Sequence, residues 1–266
     1  TGTVVLNSDL TGNVVTTGNQ GILTTTGATQ TIAGNIGSAI SSLNTLNIGS
    51  NTDATNYSTT IINGNVFANS TVLNNNGTTN SSELIMGSGK NITSTITTAD
   101  ANMGILTLAG GIQTVTGQVG NGNKLAEVNA GNGTSTFAND VYATNLDVEG
   151  TGTVNLDGNF TGTAIRYNAD GTVILADTKN IDSSVTTATN NTGTLSLEGS
   201  STVIGQVGAS GASLKEINAG VSGTTSTFVN DVYASNLNIT GTGTVVLNSD
   251  LTGNVVTTGN QGILTT

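Results

Sequence analysis

The chain has 266 residues, with 5 Lys and Arg against 16 Asp and Glu, a formal net charge of -11, and no His, Cys, Pro or Trp. Without Cys or His, zinc fingers, haem ligation, iron–sulfur clusters, disulfide frameworks and histidine-based catalytic triads are excluded. The acidic balance argues equally against nucleic acid, or an anionic membrane surface, as a partner held by a basic patch.

The chain opens Thr1-Gly2-Thr3-Val4-Val5-Leu6, without the basic and apolar regions of a signal peptide. No later apolar run is long enough to be a transmembrane segment. Thr (51 residues), Gly (37) and Asn (36) make up nearly half the sequence. Charged residues are 8%, against roughly 25% in an ordinary soluble domain. The β-branched Thr, Val and Ile favour extended backbone.

Repetition organises the chain. Residues 1–25 recur unchanged at 242–266, an offset of 241, so the sequence reads as one period of a tandem array plus the start of the next. Within the period, three degenerate modules span about 21–103, 104–192 and 193–261. Each carries a landmark: Gly34-Asn35-Ile36-Gly37, Gly117-Gln118-Val119-Gly120 and Gly205-Gln206-Val207-Gly208. Further on come Asn65-Val66-Phe67-Ala68, Asp140-Val141-Tyr142-Ala143 and Asp231-Val232-Tyr233-Ala234. Four- and five-residue strands are expected at Thr172–Ala176, Gly193–Leu197 and Asn236–Ile239, with turns at Asn63-Gly64, Asn121-Gly122, Asn132-Gly133 and Asp170-Gly171. No stretch has a helical period.

One copy lacks a segment that runs roughly from Phe160 to Lys179, and its pattern continues beyond the gap. Deleting a segment of that length from a β-sandwich would remove two strands and its core. Deleting one coil from a solenoid shortens the stack by one layer, because each repeat contacts only its neighbours. The expectation is therefore an all-β chain, a parallel β-helix running through 1–266 as one continuous segment. A string of β-sandwich repeats is the alternative architecture. Coils of about 20 residues at ~4.8 Å per layer give about 11 coils and roughly 50 Å per period, with Asn and Thr side chains laddering from coil to coil.

The inventory for chemistry is thin. Asp140 and Asp231 are equivalent, and the third copy has Asn65 there; Glu127 and Glu216 are equivalent, and the third copy has Thr45. Acids that a sister copy does without read as turn or rim residues. Arg166 and the lysines Lys90, Lys124, Lys179 and Lys215 are few for a polysaccharide-acting enzyme. No catalytic, cofactor-binding or metal-ligating residue is assigned. Calcium is the one cofactor kept in view, through Asp147 with Glu149 or Asp170 with Asp177, although no EF-hand loop or nonapeptide series is present.

Gly117-Gln118-Val119-Gly120-Asn121-Gly122 lacks the Lys-Ser/Thr ending of a phosphate loop and reads as a turn. Phe67, Tyr142 and Tyr233 occupy one repeat position and Phe137 and Phe228 another, most simply a core or corner stack. The pairs Thr95/Thr97, Thr134/Thr136, Thr151/Thr153 and Thr161/Thr163 are irregularly spaced and do not make the regular ladder that a Thr-ladder ice-binding protein requires.

The text Lys179-Asn180-Ile181 through Val185-Thr186-Thr187-Ala188-Thr189-Asn190-Asn191-Thr192-Gly193-Thr194-Leu195, then Ile204-Gly205-Gln206-Val207-Gly208 and Leu214-Lys215-Glu216-Ile217-Asn218-Ala219-Gly220, resembles repeats in rickettsial surface autotransporter passengers of the outer membrane protein A/B type. The resemblance implies a β-helical passenger at a bacterial cell surface, with adhesive or surface-layer roles and no family catalytic residues. The function expected is structural and non-enzymatic: an extracellular fibre, filament, sheath or adhesin stalk. Its partner would be itself, by covalent tandem continuation or head-to-tail stacking, because neither end of the sequence looks like a polar cap. The alternative is an adhesin binding a host protein or glycan, with polar loop text such as Asn74 to Ser82 making the contact.

Overall fold

The computed structural model describes residues 2–50, 57–75, 80–257 and 262–266. They form a parallel β-solenoid, with no helix among the described residues. The chain divides into two compact units, one of Thr1–Ala130 with Phe137–Thr144 and the other of Gly131–Thr136 with Asn145–Thr266.

Strands are short, and alternate buried with half-exposed positions, as in Thr172–Leu175 and Thr194–Leu197. Period-2 alternation of Val, Ile and Leu with Thr, Asn and Ser puts the aliphatic residues inside and the polar ones outside. In the first unit, successive turns of chain stack their inward residues in ladders, three of which are typical. One is Leu23, Leu46, Thr71, Ile96, Val119 and Val141. The second is Leu10, Ile32, Ile62, Met86 and Leu108. The third is Val14, Ile36, Val66, Ile92 and Val115.

The second unit repeats the plan. Val154, Val173, Leu195, Ile217, Leu237 and Val255 stack in one ladder. Phe160, Ile181, Val203, Phe228 and Leu247 form another. Ile165, Val185, Val207, Val232 and Leu251 form the third. Phe160 pairs with Ile181, one turn further on, so the segment missing from the shorter copy is one coil. Turns are not uniform. The one from Phe228 to Leu247 is short, whereas the one from Ile32 to Ile62 is much longer and passes through residues 51–56, outside the described residues.

The repeated glycine landmark makes a tight corner between coils. Val119 and Val207 each bridge two neighbouring coils. The glycine after each has positive φ, +74° at Gly120 and +66° at Gly208, a region that side-chain-bearing residues avoid. A Cβ at Gly120 would lie 2.0 Å from the Tyr142 carbonyl oxygen, and one at Gly208 would lie 2.2 Å from that of Tyr233. The coils approach too closely there for any residue but glycine.

A few inward positions of the first unit are polar, and their hydroxyls satisfy one another. Thr60 Oγ1 donates to Thr25 Oγ1 at 2.8 Å, Ser58 and Thr60 share a bond of 3.1 Å, and Thr71 with Ser94 one of 2.9 Å. Threonine nearly matches valine in shape, so it fits an aliphatic ladder wherever a second hydroxyl is in reach.

Candidate functional site

The polar groups of the solenoid serve chiefly to hold one coil to the next. At one corner of the first unit, asparagine carbonyls climb the stack. Asn13 Oδ1 accepts from the Asn35 N–H (2.7 Å), Asn35 Oδ1 from the Asn65 N–H (2.8 Å), Asn65 Oδ1 from the Asn91 N–H (2.9 Å) and Asn91 Oδ1 from the Thr114 N–H (2.8 Å). The second unit has the same device: Asn159 Oδ1 accepts from the Asn180 N–H (2.9 Å) and Asn180 Oδ1 from the Thr202 N–H (3.1 Å). Each bond gives a backbone N–H on one coil a side-chain acceptor on the coil before it.

This ladder explains the interchange of acid and amide in the repeats. Asp231, the counterpart of Asn65, accepts from the Asp250 N–H at 3.4 Å and from the Ser249 hydroxyl. Asp140, the third counterpart, accepts from the Tyr142 hydroxyl at 3.4 Å. At Asn65 and Asp231 the position requires an acceptor oxygen, which an amide supplies as well as a carboxylate. Glu216 accepts from Asn238 Nδ2 at 2.5 Å, and Glu127 stands half-exposed in the strand Leu125–Ala130. Thr45, their counterpart, occupies a half-exposed position in Leu43–Ile48.

The acids considered for calcium face different partners. Asp147 forms a bidentate pair with Arg166, receiving Nε at 2.5 Å on Oδ1 and Nη2 on Oδ2; its side chain is 5% exposed, that of Arg166 39%. Glu149 accepts instead from Asn168 Nδ2 at 2.7 Å. Asp170 holds Lys215 Nζ at 2.7 Å and the Gly193 N–H at 3.1 Å, while Asp177 accepts from the Ser200 N–H at 2.7 Å. The Lys215 ammonium, helped by the Gly193 N–H, keeps the Asp170 carboxyl below its ordinary value, and Asp170 raises Lys215 in return. Both side chains are largely exposed, so solvent screens the pair. Among the described residues no group of three or more acids is placed to hold a metal ion.

The aromatic positions divide. Phe137 and Phe228 are core residues. Phe67, Tyr142 and Tyr233 turn outward and are half-buried, because each follows a buried valine (Val66, Val141 or Val232) in its strand. Repetition does not single out Tyr167, since it lies in the coil that has no counterpart. It is buried, donates to the Thr194 carbonyl at 2.6 Å, and burial pushes its phenol above the usual range.

The threonine pairs scatter over the surface. Thr95 and Thr97 pair with Ser70 and Val72, Thr136 receives Asn155 Nδ2 at 3.1 Å, and Thr161 pairs with Asp182. Thr153 joins a column with Thr172 and Thr194 above it, which Glu216 then interrupts. The turn Gly117–Gly122 carries Val119 into the core. Residues 76–79 of the polar segment Asn74 to Ser82 lie outside the described residues.

The Asp147–Arg166 pair is not one that motif or spacing singles out, yet the repeats carry a signal for it. In the module that lacks the coil containing Arg166, the residue equivalent to Asp147 is Asn238. The charge is present where its partner is present and absent where it is absent.

No protein-family model and no solved structure matches the chain. Its sequence is similar to outer membrane protein A of Rickettsia rickettsii, with 33% identity over 221 residues, which cover 80% of this chain and 8% of that protein. The chain thus spans under a tenth of the length of the relative it matches, and the similarity is to one stretch of a rickettsial outer membrane protein.

Proposed function

We propose that the chain is a section of a structural, non-enzymatic shaft belonging to a bacterial surface protein. The observation that carries this reading is the second copy of the repeated text, at 242–266. Its strand Thr244–Leu247 pairs in parallel register with Thr225–Phe228 of the preceding module, so the ladder runs through the repeat junction without a break. Mostly aliphatic residues fill the inner ladders, and side-chain amides tie coil to coil at the corners. Such a stack resists extension, because pulling one coil from the next breaks the backbone ladder between them. The similarity to a protein named for the outer membrane supports a surface location.

The test is antibody labelling of the source cells with a serum raised against the whole chain. Labelling of intact cells, in electron micrographs extending outward from the envelope, is expected. Labelling only after permeabilisation would overturn the proposal.

A further inference from the structure

The text of residues 1–25 occurs twice in this structure, in two settings. In the first copy Thr3–Leu6 is an edge strand, paired on one side alone, with Ile22–Thr25. Val4 and Val5 are accordingly 59% and 63% exposed, and an apolar groove opens there, lined by Val4, Leu6, Leu10, Val14 and Leu23. In the second copy the identical text, Thr244–Leu247, has neighbours on both sides. Thr225–Phe228 lies on one edge and Ile263–Thr265 on the other. Val245, the counterpart of Val4, is 0% exposed and Leu247 is 3% exposed.

The open edge of one copy is therefore a surface whose covered form is on view in the other. We propose that the outer edge of Thr3–Leu6 and Leu10–Thr16 is the socket for the Thr225–Ile239 coil of a second copy of this repeat period. The register is the one the second copy shows, moved back by the repeat offset of 241. Thr225, Ser226, Thr227 and Phe228 lie against Thr3, Val4, Val5 and Leu6, as they do against Thr244 to Leu247. Val232 lies against Leu10, and Asn236 to Ile239 against Asn13 to Thr16. The Thr3 and Asn7 amides donate to the carbonyls of Thr224 and Phe228, matching the bonds from Thr244 and Asn248 at 2.9 Å each.

The complementary half of the joint comes from the first copy. There Leu10 and Val14 carry Ile32 and Ile36 on their far side, which covers the edge that Leu251 and Val255 leave open. The composite ladder Val207, Val232, Leu10, Ile32 and Ile62 has no polar residue in it. Neither copy alone shows the finished joint, and the two together specify it on both sides. The inference rests on the shaft reading for its purpose but not for its geometry.

The experiment is hydrogen exchange followed by mass spectrometry on two chains: the chain itself, and a longer one in which residues 1–241 precede residues 1–266. Peptides covering Thr-Val-Val-Leu-Asn are identical in every copy, so their isotope envelopes report copies by population. The parent chain is expected to show about half of this peptide exchanging fast and about half slowly, and the longer chain about one third fast and two thirds slow. A slow fraction that stays at half or falls in the longer chain overturns the proposal. The peptide at Thr172–Leu175 reports whether each period is folded. Its loss of protection in the longer chain also overturns the proposal, since the joint would then be incompatible with the stack. Surface labelling of cells reads the shaft proposal separately, so the two can fail independently.

Discussion

Removing residues 160–180, so that Asn159 leads directly into Ile181, excises one turn at the register the structure displays. The seam should close as it does in the shorter module. There Thr244–Val246 pairs with Ile263–Thr265, the counterparts of Thr194–Ser196, and Val232 pairs with Leu251. The excised coil carries Arg166 away and leaves the Asp147 carboxylate, 5% exposed, beneath the incoming strand. Thr186, which pairs with Arg166 in the intact chain, takes the place above it and can donate one neutral hydrogen bond. Losing a bidentate charged pair and gaining one hydroxyl leaves a deficit of about 2–3 kcal/mol. Asp147→Asn should recover most of that deficit in the shortened chain, because it restores the amide found at Asn238. In the full-length chain the same substitution should destabilise by about 1–2 kcal/mol, since it strips the charge from the pair. Urea titration followed by circular dichroism measures all four chains, and opposite signs are expected for Asp147→Asn in the two backgrounds. The same sign in both backgrounds, or a shortened chain that stays unfolded with Asn at 147, would show that Asp147 and Arg166 are not coupled in this way.

Gly208→Ala places a methyl group at positive φ and against the Tyr233 carbonyl oxygen; a loss of about 2–3 kcal/mol is expected in urea titration. Phe228→Ala empties a fully buried ladder position and should cost about 3–5 kcal/mol by the same measurement. Asn35→Ala orphans the Asn65 N–H and should cost about 1 kcal/mol, whereas Asn35→Asp, which keeps the acceptor, should cost less. For the Asp170–Lys215 pair, the Asp170 value is depressed from 3.8 and the Lys215 value raised from 10.5. Its contribution is present above the unfolded aspartate value and is lost as pH falls through the folded one. At the alkaline end it is present below the unfolded lysine value and lost as pH rises through the folded one. The stability difference between Lys215→Met and the parent should therefore stay flat from about pH 5 to 9 and vanish at both extremes.

Much of this architecture is legible in the sequence because a solenoid writes its period into the text. The one-coil indel near Phe160 identifies a stack of layers, and the register of Phe160 with Ile181 shows why the deletion is tolerated. Strands such as Thr172–Leu175 and Thr194–Leu197 fall where alternation and the preceding glycines, Gly171 and Gly193, place them. Legibility fails where a ladder is one residue wide. Val119 and Val207 stand alone between glycines, too short for any periodic signal, yet each bridges two coils. It fails also at Phe67, Tyr142 and Tyr233, where repetition marks a shared position without telling which way the side chain faces. The alternation that begins at the preceding valine decides that. Asp147 and Arg166 lie 19 positions apart in unremarkable text, and only the three-dimensional period brings them together.

Residues far apart in sequence stack directly above one another at one layer per turn. Thr153, Thr172, Thr194, Glu216, Asn236 and Asn254 form a single outward column. Because the chain has no cysteine, Thr153→Cys with Asn254→Cys gives two unique sites for spin labels. Five layers at ~4.8 Å put the backbone positions about 24 Å apart. Pulsed electron–electron resonance should then give one narrow distribution near that distance, widened only by the label arms. A broad distribution, or a maximum beyond about 40 Å as beads on a string would give, would contradict the stack.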